Sequence, residues 1–341
     1  MKTETVRFRI FVLFCVVSIL FVFCSEGDES ISGKSSKTDE KIILKVAQNS
    51  SIEHPYQAGL EKFKEVLEAE SEGMVEVNIF PNGQVGNEEQ EIAGIELGDI
   101  DATIVSSGSL TPFMPEIDLF NLPFIFRDEE HFYRVLDGYI GEWMGRIIEE
   151  KVNSVFLGYC SLGIRNAWNV KKPILTPDDF KGMKIRVMES PILLSTFNAF
   201  GAQTTTISWN ELYSALQQGV LDGAECGMVD LLVEKFYEIT KYVSYTNHLF
   251  GVAAFIFSKK KYEKLPANVQ TAVLTAGRAA VVAAREAEDI LESKALIELK
   301  KKGIEFFTVD RDLFREKLKP VYEKYAGRLG GMELIEQVMQ Q

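Results

Sequence analysis

The stretch whose reading decides the fold runs from Gly163 to Glu225: GIRNAWN (163–169), TPDDFKGMKIRVMESP (176–191) and SWNELYSALQQGVLDGAE (208–225). Strand-like segments here feed capped helices. Thr176-Pro177-Asp178-Asp179 puts a cap, a first-turn proline and acidic residues at a helix start. Ser190-Pro191 opens a second helix that Gly201 closes. Ser208-Trp209-Asn210-Glu211 fits a capping box for a third, which Gly219 ends before a tight turn at Asp222-Gly223. Strands that end where helices begin set their loops along one edge of a sheet, where ligand sites of α/β folds form. Arg165 and Arg186 both lie at predicted strand ends. A guanidinium at the mouth of a cleft suits a carboxylate, held by two parallel hydrogen bonds.

Outward from this block the alternation continues. KIILKVAQ (41–48) reads as a strand, followed by a helix with Tyr56, Leu60, Phe63 and Leu67 at helical spacing and Gly73 as a stop. Val75, Val77 and Ile79 alternate in a strand closed by Pro81. A helix in GNEEQEIAGIELGD, a short buried strand in DATIVSSG and an acidic helix from about Asp128 come next. NSVFLGYC supplies a strand ending near Cys160. From Ala267 to Lys302 there is no proline and Gly277 is the sole glycine, which predicts a helix of about 35 residues, roughly 50 Å long. That exceeds one compact lobe. With 341 residues available, two lobes with the helix packed along both is the simplest arrangement.

The net charge of −13 argues against nucleic acid as a partner, and any anion site has to be locally attractive against that field. Catalytic signatures are missing: the three histidines lie in no HExxH or His-Cys cluster, and there is no P-loop, G-x-S-x-G elbow or G-x-G-x-x-G. No metal or cofactor is expected. Cys226 and His248 could be drawn as a nucleophile and base, but two such residues at unknown separation are far more often structural. Cys160 and Cys226 read as buried free thiols, and Glu129, Glu130 and His131 as the solvated face of a helix start. Glu225, just after a turn, could pair with an arginine or accept from a ligand hydroxyl. Trp209, in a first helical turn, is either a ligand wall or packing against a loop.

Lys2, Arg7 and Arg9 precede an apolar run from Ile10 to Cys24 of signal-peptide length, and residues 25–40 form a polar tether. The run, Cys24 and tether together resemble a bacterial lipoprotein export signal, with Phe21 and Phe23 as departures. Lipidation of Cys24 and ordinary cleavage nearby both stay open, and either exports the protein to a periplasmic or extracytoplasmic location.

The block GIRNAWN…TPDDFKGMKIRVMESP…ELYSALQQGVLDGAE closely resembles the DctP-type solute-binding proteins of tripartite ATP-independent periplasmic (TRAP) transporters. FPNGQVGNEEQEI (80–92), ELGDIDATIVSSGSL (96–110), NLPFIF (121–126), KFYEITKYVSYTNH (235–248) and SKKKYEKLPANVQ (258–270) carry the likeness over nearly the whole mature chain. The resemblance implies an α/β two-lobed clamshell, with lobe I at 41–163 plus 251–291, lobe II at 164–250 plus 292–341, and the long helix behind both. It implies that Arg186 forms the salt bridge to a substrate carboxylate and that Arg165 assists. Glu88, Ser106, Trp209 and the residues after the Asp-Gly turn, here Glu225 and Cys226, would line the pocket. Many relatives have asparagine where Cys226 stands, so an amide contact is missing. Glu189 falls where a polar pocket residue is expected. The function implied is a receptor that captures a small organic acid, a sugar acid being one candidate, and delivers it to sodium-driven membrane subunits. A sensor protein and an exported enzyme using Cys226 are the other readings.

Overall fold

The computed structural model describes residues 41–341; the expected export segment 1–24, the tether 25–40 and the candidate lipid site Cys24 lie outside the described residues. Among the described residues nine strands form one mixed sheet. β1 (Ile42–Ala47), β2 (Val75–Phe80) and β3 (Ala102–Ser106) make a parallel set at one end, in the spatial order β2, β1, β3. The helix Pro55–Glu70 crosses from β1 to β2 and buries Tyr56, Leu60, Phe63 and Leu67, the four apolar positions of its helical period. At the other end β7 (Gly223–Cys226), β5 (Lys184–Val187) and β6 (Gln203–Thr206) form a second parallel set.

Two long strands join the sets. β4 (Ser154–Asn169) and β8 (Tyr242–Ser258) are antiparallel and run through both halves: β3 pairs with Ala253–Phe257 of β8, while β7 pairs with Asn166–Asn169 of β4. β9 (Glu305–Thr308) pairs with the start of β8. The sequence expectation ended β4 near Cys160 and placed Arg165 on a separate segment. The structure instead carries one strand past both. Gly163 adopts φ +66°, inside a stretch where the β4–β8 register shifts between Ser161 and Ile164, and so bends the strand without ending its ladder. The helix expected after Thr176 is likewise shorter, a single 3-10 turn over Pro177–Phe180.

The long helix spans Ala267–Lys301. Its first half lies on helix Pro55–Glu70, where Gly59 permits close approach: a Cβ there would sit 2.9 Å from the Ala280 carbonyl oxygen. Its last turns place Ala295 and Leu299 in a cluster with Trp168, Leu212 and Phe236 of the other half. The C-terminal helices also touch both halves. Phe314 packs on Phe200 and the Tyr325 hydroxyl donates to the Pro191 carbonyl, whereas the Tyr139 hydroxyl donates to Gln337. Residues 292–341, given to lobe II by the sequence reading, therefore make contacts on each side. His131 corrects another expectation: Glu129 and Glu130 are exposed, but His131 is buried, with Nε2 2.7 Å from the Val338 carbonyl oxygen. Cys160 and Cys226 are buried free thiols. No helix among the described residues is long and apolar enough to cross a membrane.

Candidate functional site

A cleft of ≈ 250 Å³ opens where the carboxyl ends of parallel strands from both halves meet. Asn49 lies just past β1, Glu189 just past β5, and Thr206 through Trp209 at the end of β6. An adjoining recess of ≈ 30 Å³ shares Asn49, Glu88, Arg186 and Trp209 with it and reaches Tyr56, Arg165 and Asp230. The site sits at strand carboxyl ends because the following loops and helix starts present polar backbone and side chains there.

Arg186 is buried in β5 between two parallel neighbours, with Ile185 and Val187 packed into the core. Its Nε donates to the Ile207 carbonyl at 2.9 Å, and its Nη2 is 3.8 Å from a Glu189 oxygen, beyond hydrogen-bond reach. Nη1 is buried with no hydrogen-bond partner among the described residues. Burial pulls the Arg186 pKa below its ordinary value, and the neighbouring Glu189 only partly restores it. Trp209 is half-buried, edge-on to Phe236 at 5.2 Å, and its ring centroid is 5.7 Å from the Arg186 guanidinium carbon. It therefore both packs and lines the cleft. Its helix starts without the expected capping box, because the Ser208 side chain makes no cap hydrogen bond and lines the cleft instead.

Opposite stands an acidic wall. Glu88 opens the helix Glu88–Leu97 behind the N-cap Asn87, and it accepts from the Ser106 amide (3.0 Å), the Ser106 hydroxyl (2.6 Å) and the Ser109 hydroxyl (2.5 Å). Desolvation pushes the Glu88 pKa up against these bonds, and the charge of Glu189 adds to the rise. Ser109 also lies 3.2 Å from Glu189, so this hydroxyl links the two sides of the cleft.

Arg165 is differently placed. Glu225 holds it from Nε at 2.6 Å and Nη2 at 2.9 Å, the Glu225 carbonyl takes Nη2 as well, and Asp230 lies 3.9 Å from Nη1. His248 Nε2 is 3.4 Å from the same Glu225 carboxylate. Burial alone would raise the Glu225 pKa. The attraction of Arg165, with the contact from His248, outweighs it and holds the value down at about 2. Glu225 thus has no exposure and serves as the internal counter-ion of Arg165 rather than as a wall of the cleft. Cys226 does not line the cleft either. Its sulfur accepts from Trp168 Nε1 at 3.1 Å within the core, and burial pushes its thiol pKa well up, the opposite of the shift that a thiolate nucleophile needs.

The structure therefore brings Glu88, Ser106, Glu189, Arg186 and Trp209 together around the cleft and its recess, reaches Arg165 only at the recess, and leaves Glu225 and Cys226 behind the lining. Asn49 and Asn87 were missed as lining residues, whereas the helix start at Ser208 was expected to offer donors to the site. Asn87 and Ser208 do stand at helix starts, a signal that was legible. Among the described residues no group of three or more His, Cys, Asp or Glu is placed to hold a metal ion. The chemistry available is charge-assisted binding of an anion beside several acceptors.

The model of the DctP family, described as bacterial extracellular solute-binding protein, family 7, matches residues 46–328. A solute-binding protein of Sulfitobacter sp. is 34% identical over 300 residues, covering 87% of this chain and 90% of that protein. Among solved structures, a TRAP periplasmic solute-binding protein from Bordetella bronchispeptica, with density assigned to pantoate, superposes at a TM-score of 0.85 with 34% identity, covering 88% of this chain and 99% of that one. A TRAP protein from Polaromonas sp. bound to D-erythronate does so at 0.85 with 31% identity, covering 88% and 98%. The cleft between two strand sets and the long helix behind them are thus the two-lobed architecture of these receptors, and the chain belongs to the DctP family of TRAP-transporter solute-binding proteins.

Proposed function

We propose that this extracytoplasmic receptor holds the carboxylate of a small organic acid on Arg186 and delivers the acid to the membrane subunits of a TRAP transporter. The observation that carries the reading is the incomplete bonding of Arg186. A buried guanidinium with an unmade Nη1 bond is costly, because buried donors without acceptors forfeit their hydration. A ligand carboxylate accepting in parallel from Nη1 and Nη2 removes that cost. The related structures support it: pantoate and D-erythronate, assigned to two of them, are both carboxylic acids.

The lobes are centred on 41–163 with 251–291 and on 164–250, with 292–341 packed against both, and β4 and β8 join them. Arg186 and Trp209 belong to one and Glu88 and Ser106 to the other. A ligand that touches both favours the closed arrangement by its difference in affinity between open and closed forms. Trp209 walls the site, and the helix start after Ser208 adds backbone donors. Arg165 acts from behind, held by Glu225, by shaping the field of the recess.

Calorimetry with D-erythronate and pantoate on Arg186→Lys tests the assignment. An ammonium cannot reproduce the fork, so affinity falls by roughly ten- to a hundredfold. Unchanged affinity would remove Arg186 from the carboxylate role.

A further inference from the structure

Resting on the receptor reading above, we propose that Glu189 and Glu88 form a selectivity wall that accepts the hydroxyls of a single-carboxylate hydroxy acid and rejects a second carboxylate. The first support is the charge count of the cleft. Among the described residues Arg186 is the one cationic side chain that lines the main cavity, against Glu88, Glu89, Glu189 and Glu211. Arg165, at the adjoining recess, is already neutralised by its fork to Glu225. One carboxylate has a cation to meet, and a second has none.

The second support is how the two acids are bonded. The Ser109 hydroxyl carries one proton and faces both carboxylates, 2.5 Å from Glu88 and 3.2 Å from Glu189. The shorter contact takes the proton, which leaves Glu189 short of a donor. Its other oxygen is 3.8 Å from Arg186, too far for a hydrogen bond. Glu189 is therefore an acceptor beside the carboxylate clamp, positioned for the donor that a hydroxyl near a carboxylate supplies. When the ligand carboxylate takes Arg186, a hydroxyl reaching Glu189 compensates that side chain for the weakened attraction of its cation.

Glu88 completes the argument from the other lobe. It accepts three hydrogen bonds and is already pressed towards protonation by desolvation and by the charge of Glu189. A further anion in ≈ 250 Å³ of space worsens both effects. A hydroxyl relieves them, since it donates to a carboxylate and accepts from a carboxyl. The neutral donors and acceptors beside it, Asn49, Asn87 and Ser208, match hydroxyls, and the Trp209 ring offers an apolar wall to the C–H face of a polyhydroxy chain. Sites built to bond a hydroxyl discriminate strongly against analogues lacking it, because their own acceptors are left unpaired. An uncompensated like charge excludes the wrong ligand in the same way.

The test is calorimetry on the protein and its variants with five probes: D-erythronate and D-gluconate as hydroxy acids, succinate as a dicarboxylate, butyrate as an acid without hydroxyls, and L-serine as an amino acid. The better hydroxy acid is expected to bind at least about tenfold more tightly than succinate or butyrate. Glu189→Gln should shrink the preference over succinate about fivefold or more, and Glu88→Gln should act in the same direction, while each variant keeps its ligand-free thermal transition. Arg186→Lys should weaken all carboxylates together. Succinate binding as tightly as the better hydroxy acid overturns the proposal, as does an unchanged preference in both glutamine variants, and in either case the carboxylate role of Arg186 survives if Arg186→Lys still weakens binding. An amino acid such as L-serine outcompeting both hydroxy acids also overturns it, since the wall would then be reading an ammonium. If no carboxylate binds at all, the receptor reading falls and this inference falls with it.

Discussion

Arg165 and Arg186 are buried to nearly the same degree, 2% and 3% exposed, yet their surroundings differ in kind. Around Arg165 the protein supplies a complete counter-ion: Glu225 takes Nε and Nη2, and Asp230 and His248 extend the network. Around Arg186 it supplies one carbonyl and a carboxylate slightly too far away, and leaves Nη1 unbonded. The first arrangement is finished and belongs to the fold. The second is unfinished, and on the proposed reading a ligand carboxylate completes it. Burial alone says nothing about function here; the state of the hydrogen-bond inventory does.

The sharpest way to break this comparison is to remove one partner on the finished side. Glu225→Ala strands a buried guanidinium, so chemical denaturation should show a loss of about 3–5 kcal/mol. A loss below about 1 kcal/mol would mean that water already reaches Arg165. On the unfinished side the sign reverses. Arg186→Met should abolish tight carboxylate binding while ligand-free stability holds or rises by about 1 kcal/mol, because the variant deletes an unsatisfied buried donor. If the two arginine sites lose similar stability on truncation, the distinction fails.

A third substitution probes the bend that links the lobes. At Gly163 a side chain would adopt φ +66°, and its Cβ would lie 2.7 Å from a Glu288 oxygen. Gly163→Ala should cost about 1–2 kcal/mol from backbone strain alone and slow ligand-driven closure, which stopped-flow tryptophan fluorescence would read.

The smallest expected effect concerns pH, and it distinguishes the network at Arg165 from the acids behind the bend. Glu288 is buried with both carboxylate oxygens unbonded among the described residues, and Glu292 has one such oxygen. Burial pushes both up, Glu292 to about 7, and the charges of Asp230 and Glu129 push further on each, with Asp289 also acting on Glu288. Burial also raises Glu91, to about 8. A carboxyl whose folded pKa exceeds its unfolded value of about 4.5 holds a proton in the folded state alone through that interval. Its stabilisation is present on the acid side and lost as pH rises through 7 to 8. Glu225 runs the other way: its pKa of about 2 contributes above the unfolded value and is lost only as pH falls from 4.5 towards 2. Stability should therefore peak near pH 5 and decline by roughly 1–2 kcal/mol towards pH 8. Glu288→Gln should flatten that decline. A flat profile between pH 5 and 8 in the parent protein would show that water or a cation already relieves these acids.

Much of the site was legible because its signals are local. The helix starts at Asn87, Ser190 and Trp209, the glycine ends, and the long uninterrupted helix all follow from caps and propensities that act within a few residues. Arg186 was legible for the same reason, since its strand is short and punctuated on both sides. The failures came where a local pattern was overridden. The strand ending near Cys160 looked complete, yet pairing with β8 carried it on past a glycine bend. Ser208 had the residues of a capping box but not the bond, and His131 looked like part of an exposed helix start until the C-terminal helix covered it.

Composition, alternation and punctuation by themselves determined the class of fold, the spanning helix and the presence of an arginine at a strand end. The resemblance had already ranked Arg186 above Arg165, and tertiary structure alone decided which of them carries an internal counter-ion. Arg165 and Glu225 stand sixty positions apart, and they meet only because β4 and β7 pair in a register that sets Asn166 against Cys226 and Ala167 against Glu225. Strand register is a long-range choice made by the packing of whole faces, and no local propensity encodes it. The same register buries Cys226 beneath Trp168 and closes Glu225 off from the cleft, so the acidic residues that line it are Glu88, Glu89, Glu189 and Glu211 instead.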